Sequence, residues 1–253
     1  MNFLNNLMGN MMGDPAKKEE AEALKDFSED DCESLKHNFG RVAENEAGRD
    51  KVKGIDRGLL ERELTLGQKL CDRLFTKIQE LGNPRGKKDA KPDKELFMNL
   101  ATLARAMHTI CNFDQDEQIA FTLSIISSGR SSSVSAEQCR NFYRALIEHS
   151  LPKDKKDNAE LRDRVVQWSL EKVFSQASSS TSLSYDEAQE WLEKETEARE
   201  FFHNLLDSHF LNMPNDAGEV EEVKRKLPRL GRRSLLLRDE HLWMLSNHIP
   251  DQV

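Results

Sequence analysis

Long apolar runs are missing from this 253-residue chain: none approaches the roughly 20 residues needed to cross a bilayer as a helix. Positive balance is missing as well. The net charge of -8 lacks the basic footprint of a general nucleic-acid binder, so no nucleic-acid partner is expected. Cysteine is scarce: Cys32, Cys71, Cys111 and Cys139 stand far apart and form no CxxC pair. Each falls on the apolar stripe of a predicted helix. Reduced core thiols of a cytosolic protein are the expectation, with a disulfide or zinc site as the lesser alternative. GxxxxGK[ST], GxSxG and GxGxxG are absent, which removes phosphate cradles and nucleophile elbows. The seven histidines show no HExxH spacing, and His203 and His209 sit off a common helical face. Nothing among the 45 acidic residues singles out an acid–base pair. No catalytic residue is named, and the chain is expected not to be an enzyme.

The opening MNFLNNLMGNMM lacks the basic flank and long apolar core of a signal peptide. Met1-Asn2 is no myristoylation signal. Gly9 would become N-terminal only if translation began at Met8, and Gly13 would then occupy the position that wants Ser or Thr. Residues 1–26 are expected as a disordered or interfacial tail. With 37% hydrophobic and 32% charged residues, the chain is polar for a globular protein.

What is present is helical period, almost without interruption from Ser28. Ser28 is placed to cap a helix with Glu29, Asp30 and Asp31 in its first turn and Cys32, Leu35, Phe39 and Val42 facing inward. A polar loop (44–53) leads into a short helix around Leu59 and Leu60. Thr65 and Gln68 have capping-box spacing and are expected to open a helix carrying Leu70, Leu74, Ile78 and Leu81. Asn83-Pro84 ends it, and 86–93 reads as a lysine-rich loop. Leu96, Leu100, Leu103, Met107 and Ile110 mark the next helix. The second half repeats the plan: Ile119, Leu123 and Ile126; then Cys139, Phe142, Tyr143, Leu146 and Ile147; then Leu161, Val165, Trp168, Leu170 and Val173. A last long helix is expected from Tyr185 to about Phe210. The expected class is all-α, built from paired EF-hand-like helix–loop–helix units (27–112 and 113–212), a basic linker (213–233) and a C-terminal stub helix (234–253).

Loop spacing carries the functional expectation. An EF-hand loop needs oxygen ligands at positions 1, 3 and 5, a tight turn at 6 and a bidentate glutamate at 12, while an aliphatic residue at 8 bridges to the partner loop. With Val134 at position 8, Ser127, Gly129 and Ser131 fall at 1, 3 and 5, Ser132 at 6 and Gln138 at 12. With Leu183 at position 8, Gln176, Ser178 and Ser180 fall there, Thr181 at 6 and Glu187 at 12. Serine hydroxyls bring no charge to offset dehydration of the ion, so the first loop is not expected to hold calcium. The second keeps one carboxylate, leaving Ser178, Ser180 and Glu187 as weak calcium candidates. Ser135-x-x-Gln138 and Ser184-x-x-Glu187 are also capping boxes, which need no metal. In the N-terminal half, Ile55 at position 8 leaves only Asp50 among the early ligands, with Leu59 at 12.

Beyond 212 a linker leads to a basic cluster, Lys224, Arg225, Lys226, Arg229, Arg232 and Arg233. It suits an anionic lipid surface or a nuclear address, and a solvated linker face is the simpler expectation. The segment 234–253, SLLLRDEHLWMLSNHIPDQV, then turns apolar. It resembles the opening of a TLDc domain, where a Leu-Trp-x-Leu-x-x-His-Ile/Leu-Pro helix precedes a catalytically inert β-sandwich. The helical region 27–211 resembles, in layout, the EF-hand-like N-terminal half of lysosomal, TOR-associated members of that family. The chain departs from those members in lacking their N-terminal Met-Gly, and the TLDc domain is expected to be truncated after its first helix. The resemblance implies a non-enzymatic regulator in the cytoplasm, peripheral on lysosomal or other membranes, with a protein partner and links to the TOR complex and the V-ATPase. A weak EF-hand-type calcium sensor is the alternative, with no other cofactor expected.

Overall fold

The computed structural model describes residues 15–44, 54–83, 97–127, 133–150 and 159–211. They are almost wholly helical, as expected, and divide into two compact units. One comprises the described residues up to Phe113 together with those from Leu205 onward; the other comprises those between Asp114 and Asn204.

In the first unit, α1 (Pro15–Leu24) is a helix within the stretch expected as a tail. It buries Ala23 and Leu24, and Glu19 reaches Arg105 at 3.0 Å on the helix it packs against, α5 (Leu100–Cys111). A mostly exposed helix with one buried corner shows little apolar period, which is why it did not stand out. Helix α2 (Glu29–Glu44) begins where Ser28 predicts: the Ser28 hydroxyl accepts from Asp31 N–H at 3.1 Å, and its carbonyl accepts from Cys32 N–H. Cys32, Leu35, Phe39 and Val42 are all buried. Asp56 caps α3 (Arg57–Leu64) by accepting from Leu59 N–H at 2.8 Å.

The expected Thr65/Gln68 capping box does not form. Thr65 has φ 50° and ψ 36°, so it ends α3 in the left-handed region instead of starting the next helix. Helix α4 (Gln68–Gly82) starts after Gly67 with no side-chain cap. Its Leu70, Cys71, Leu74, Phe75 and Ile78 are buried, while Leu81 is only half-buried. Against α4 lies α5, buried almost all round. The two helices meet at Gly82, where a Cβ would stand 2.2 Å from the Thr102 carbonyl oxygen, so only glycine permits the approach. Helix α5 begins at Leu100, later than the Leu96 of the sequence pattern. Met98 is extended and pairs with Ile55, and Asn99 caps the helix through Thr102 N–H at 2.8 Å. Closing this unit, Asp207–Leu211 forms a π-helical turn, with Phe210 fully buried and its carbonyl held by Asn38 Nδ2 at 3.1 Å.

In the second unit, Asp114 and Glu117 form a reciprocal capping box at the start of α6 (Gln115–Ile126). Two three-residue strands follow that the helical period did not announce, β1 (Ser133–Ser135) and β2 (Ser182–Ser184). Helix α7 (Ala136–Ser150) leaves β1, α8 (Ala159–Phe174) packs against α7, and α9 (Tyr185–Lys194) leaves β2. The stripe Cys139, Phe142, Tyr143, Leu146 and Ile147 is buried as its spacing predicts. On α8, Val165, Val166, Ser169 and Leu170 are inside, and Trp168 is 41% exposed beneath the Lys172 ammonium.

The long helix expected from Tyr185 is two helices. It breaks at Glu195, which ends α9 with φ -105° and ψ 83°, and α10 (Thr196–Leu206) begins afresh. The mostly buried Arg199 side chain folds back onto the carbonyl oxygens of Glu193 (3.2 Å) and Leu192 (3.5 Å), satisfying the end of α9. The break sets Trp191 from α9 and Phe201 and Phe202 from α10 around one ring. Phe142 lies 5.9, 5.6 and 5.8 Å from their centroids, in tilted and edge-to-face arrangements. Trp191 Nε1 donates to the Tyr143 hydroxyl at 3.0 Å, so the cluster has no stranded indole N–H.

Candidate functional site: the paired loops

The strands β1 and β2 are the meeting point of two loops. They pair antiparallel in the register Ser133↔Ser184, Val134↔Leu183 and Ser135↔Ser182, so both position-8 residues sit in the middle of the ladder, and both are buried. Ala136 N–H donates to the Thr181 carbonyl at 2.8 Å and extends the pairing by one bond. A helix leaves each strand at the residue that caps it, Ser135 for α7 and Ser184 for α9, as the position-8 spacing leads one to expect.

The ligand positions are put to other uses. Ser127 turns its hydroxyl back to the Leu123 carbonyl at 2.8 Å at the end of α6. Gly129 and Ser131 lie outside the described residues. Gln138 accepts from Ser135 N–H at 2.8 Å through its side-chain oxygen and donates its own N–H to the Ser135 hydroxyl at 3.2 Å. In the second loop, Glu187 Oε1 accepts from Ser178 N–H at 2.7 Å. Oε2 accepts from the N–H and hydroxyl of Ser184 at 2.7 and 2.9 Å. These bonds, the Ser178 N–H first, hold the Glu187 carboxyl down at about 2. Ser180 is exposed, and its neighbours Ser179 and Thr181 are occupied with each other, Thr181 N–H donating to the Ser179 hydroxyl at 3.2 Å. The structure thus brings Ser178 and Glu187 together through a main-chain N–H, a donor that repels a cation, and leaves Ser180 apart from them.

A second loop pairing lies in the first unit, of which the loop spacing gives only Ile55. Ile55 and Met98 exchange two hydrogen bonds, each 2.8 Å, across an isolated antiparallel bridge. With Met98 at position 8, Lys91, Asp93 and Glu95 count to 1, 3 and 5, and Thr102 to 12. The signal was available: each bridging residue is apolar and followed at once by a capping residue, as in Ile55-Asp56, Met98-Asn99, Val134-Ser135 and Leu183-Ser184. Methionine is not the usual aliphatic at that place, and Leu96 fits the four-residue spacing of the helix that begins at Leu100.

Other chemistry is sparse. Among the described residues no group of three His, Cys, Asp or Glu side chains is placed to hold a metal ion. All four cysteines are free; Cys32, Cys71 and Cys139 are buried, while Cys111, expected wholly in the core, is only partly covered. Burial raises the Cys71, Cys111 and Cys139 thiols to about 12, which keeps them protonated and unreactive at neutral pH. In the first unit, Glu63 accepts from Arg41 Nη1 and Nη2 at 3.1 and 2.5 Å and faces His209 Nδ1 at 3.1 Å. Burial pushes the Glu63 carboxyl up, and the bonds from Arg41 and His209 outweigh it and hold it below the usual range. Here is a structural clasp between α2, α3 and the π turn. No helix among the described residues is long and apolar enough to cross a membrane. Gly9, the basic cluster 224–233 and the TLDc-like segment 234–253 lie outside the described residues.

No protein-family model matches the chain, and no curated protein matches it.

Proposed function

We propose that this chain is a non-enzymatic regulatory and protein-interaction module of the TLDc type, acting in TOR signalling at lysosomal or other membranes and linked to the V-ATPase. The observation that carries the interaction reading is that the loops satisfy themselves. The residue after each bridging position caps the helix that follows, and Gln138 and Glu187, at position 12, bond to backbone N–H groups, so these helices are presented as a ready-made scaffold. The non-enzymatic part of this reading goes with the thiols: Cys32, Cys71 and Cys139 are buried, Cys111 is partly covered, and burial raises all four above the ordinary thiol range. The TLDc assignment, and with it the lysosomal and TOR context, rests on the motif in 234–253. Partners are proteins, with a membrane surface available to the basic cluster 224–233.

The assignment is tested at two levels. Sequencing the transcript beyond codon 253 should reach alternating strand segments of a β-sandwich; an immediate stop or unrelated sequence removes the TLDc basis. Purified full chain incubated with lysosomal membranes should float with them in a density gradient and co-purify with V-ATPase subunits, and lowering its level should change TOR substrate phosphorylation. The calcium-sensor alternative rests on Glu187 alone, whose two oxygens already accept three hydrogen bonds. Calorimetry with calcium should give no saturable heat below the millimolar range.

A further inference from the structure

In a loaded EF-hand loop the glutamate at position 12 gives both oxygens to the ion, and so ties the early ligand positions to the start of the exiting helix. The second loop of the second unit makes the same tie with protein groups. Oε1 of Glu187 takes the Ser178 N–H, at position 3, and Oε2 takes the Ser184 N–H and hydroxyl at position 9. We propose that Glu187 is an internal substitute for calcium, a clasp that fixes the α8–loop–α9 unit in one arrangement whether or not calcium is present.

Three further features fit a clasp and give an ion no task. The ladder β1–β2 already joins the two loops, and the first loop carries a neutral capping pair, Ser135 and Gln138, in place of an ion site. Within the second loop, the Ser179–Thr181 contacts turn the chain through positions 4 to 6 without a ligand. The apolar face that a calcium-sensing pair would uncover is also spoken for: Ala188, Trp191 and Leu192 of α9 are buried, with Trp191 and Phe202 on opposite connections of the Phe142 cluster. The unit is therefore closed by its own residues, and opening it requires breaking the clasp or displacing α10. This goes beyond the module reading by stating how the module is held, and it stands or falls without reference to any partner.

The test is residue-resolved amide exchange by NMR on the full chain. In the wild type, the Ser178 and Ser184 amides should be protected and unchanged by millimolar calcium chloride. In Glu187→Gln only one side of the carboxamide can accept, so exchange at Ser178 or Ser184 should quicken about tenfold while α7 amides keep their protection. Equal exchange in both proteins overturns the clasp. So does a saturable calcium shift of the Ser178 and Ser184 amides in the wild type. If Glu187→Gln fails to fold, the wild type still decides: the Glu187 carboxyl carbon and the Ser178 amide should titrate together, well below the ordinary glutamate range. Separate transitions, or a carboxyl titrating at its ordinary value, overturn the proposal.

Discussion

The two loop pairings solve one problem with different means. In the first unit a single bridge, Ile55 to Met98, is backed by close helix contact: α4 and α5 approach so tightly at Gly82 and Thr102 that no Cβ fits. In the second, a three-residue ladder is backed by hydrogen-bonded side chains at both exits and by an aromatic cluster around Phe142. Four exiting helices start from the same local device, an apolar bridging residue followed by Asp, Asn or Ser as cap. What differs is what supports the device. Ion ligation can be lost from such a frame because capping already satisfies the first N–H groups of each exiting helix.

The largest effect should come from removing the centre of the second unit's support. Phe142→Ala leaves a cavity among Tyr143, Trp191, Phe201 and Phe202, and should cost about 3–5 kcal/mol in urea unfolding followed by tryptophan fluorescence. A loss below about 1 kcal/mol would mean that the cluster is not the core of that unit. Next comes the first unit's support. Gly82→Ala would drive a methyl into the Thr102 backbone and should destabilise by about 1–3 kcal/mol, despite alanine's higher helix propensity. Stabilisation by the substitution would show that α4 and α5 are not in close contact.

A smaller change, of opposite sign, separates the two accounts of Thr65. A β-branched residue at φ 50° is strained, so Thr65→Gly should leave thermal stability unchanged or raise it by up to about 1 kcal/mol. A capping role would instead make the same substitution destabilising. The smallest effect concerns Glu187, whose carboxyl is depressed to about 2 in the folded protein. Its contribution is present above the unfolded value of about 4.3 and is lost as pH falls toward 2. Wild type and Glu187→Gln, melted at a series of pH values, should differ at pH 6 and converge near pH 2; a difference that grows on acidification would contradict the geometry.

Much of this was legible in the chain itself, because the signals are local. The inward stripes Cys32–Leu35–Phe39–Val42 and Cys139–Phe142–Tyr143–Leu146–Ile147 follow from helical period, and the caps at Ser28, Ser135 and Ser184 from side chains that reach N–H groups three residues on. The same locality explains the errors. Thr65-x-x-Gln68 has capping-box spacing, but spacing does not record that Thr65 is already ending α3. The apolar residues of 188–206 keep one helical face throughout, so nothing in their order announces the break at Glu195; it depends on Arg199 folding back and on Phe142 receiving rings from both sides.

By itself, then, the order of residues determined the all-α class, the capped helix starts and the position-8 pair Val134 and Leu183, since each depends on neighbours within a turn or two. Tertiary structure alone decided that Met98 is the partner of Ile55, that Gly82 is a contact point, and that the oxygens of Glu187 are taken by Ser178 and Ser184. Those facts concern which groups meet across a loop or between helices. A carboxylate at position 12 reads the same in sequence whether an ion or a backbone N–H lies before it; only the folded loop supplies the donor.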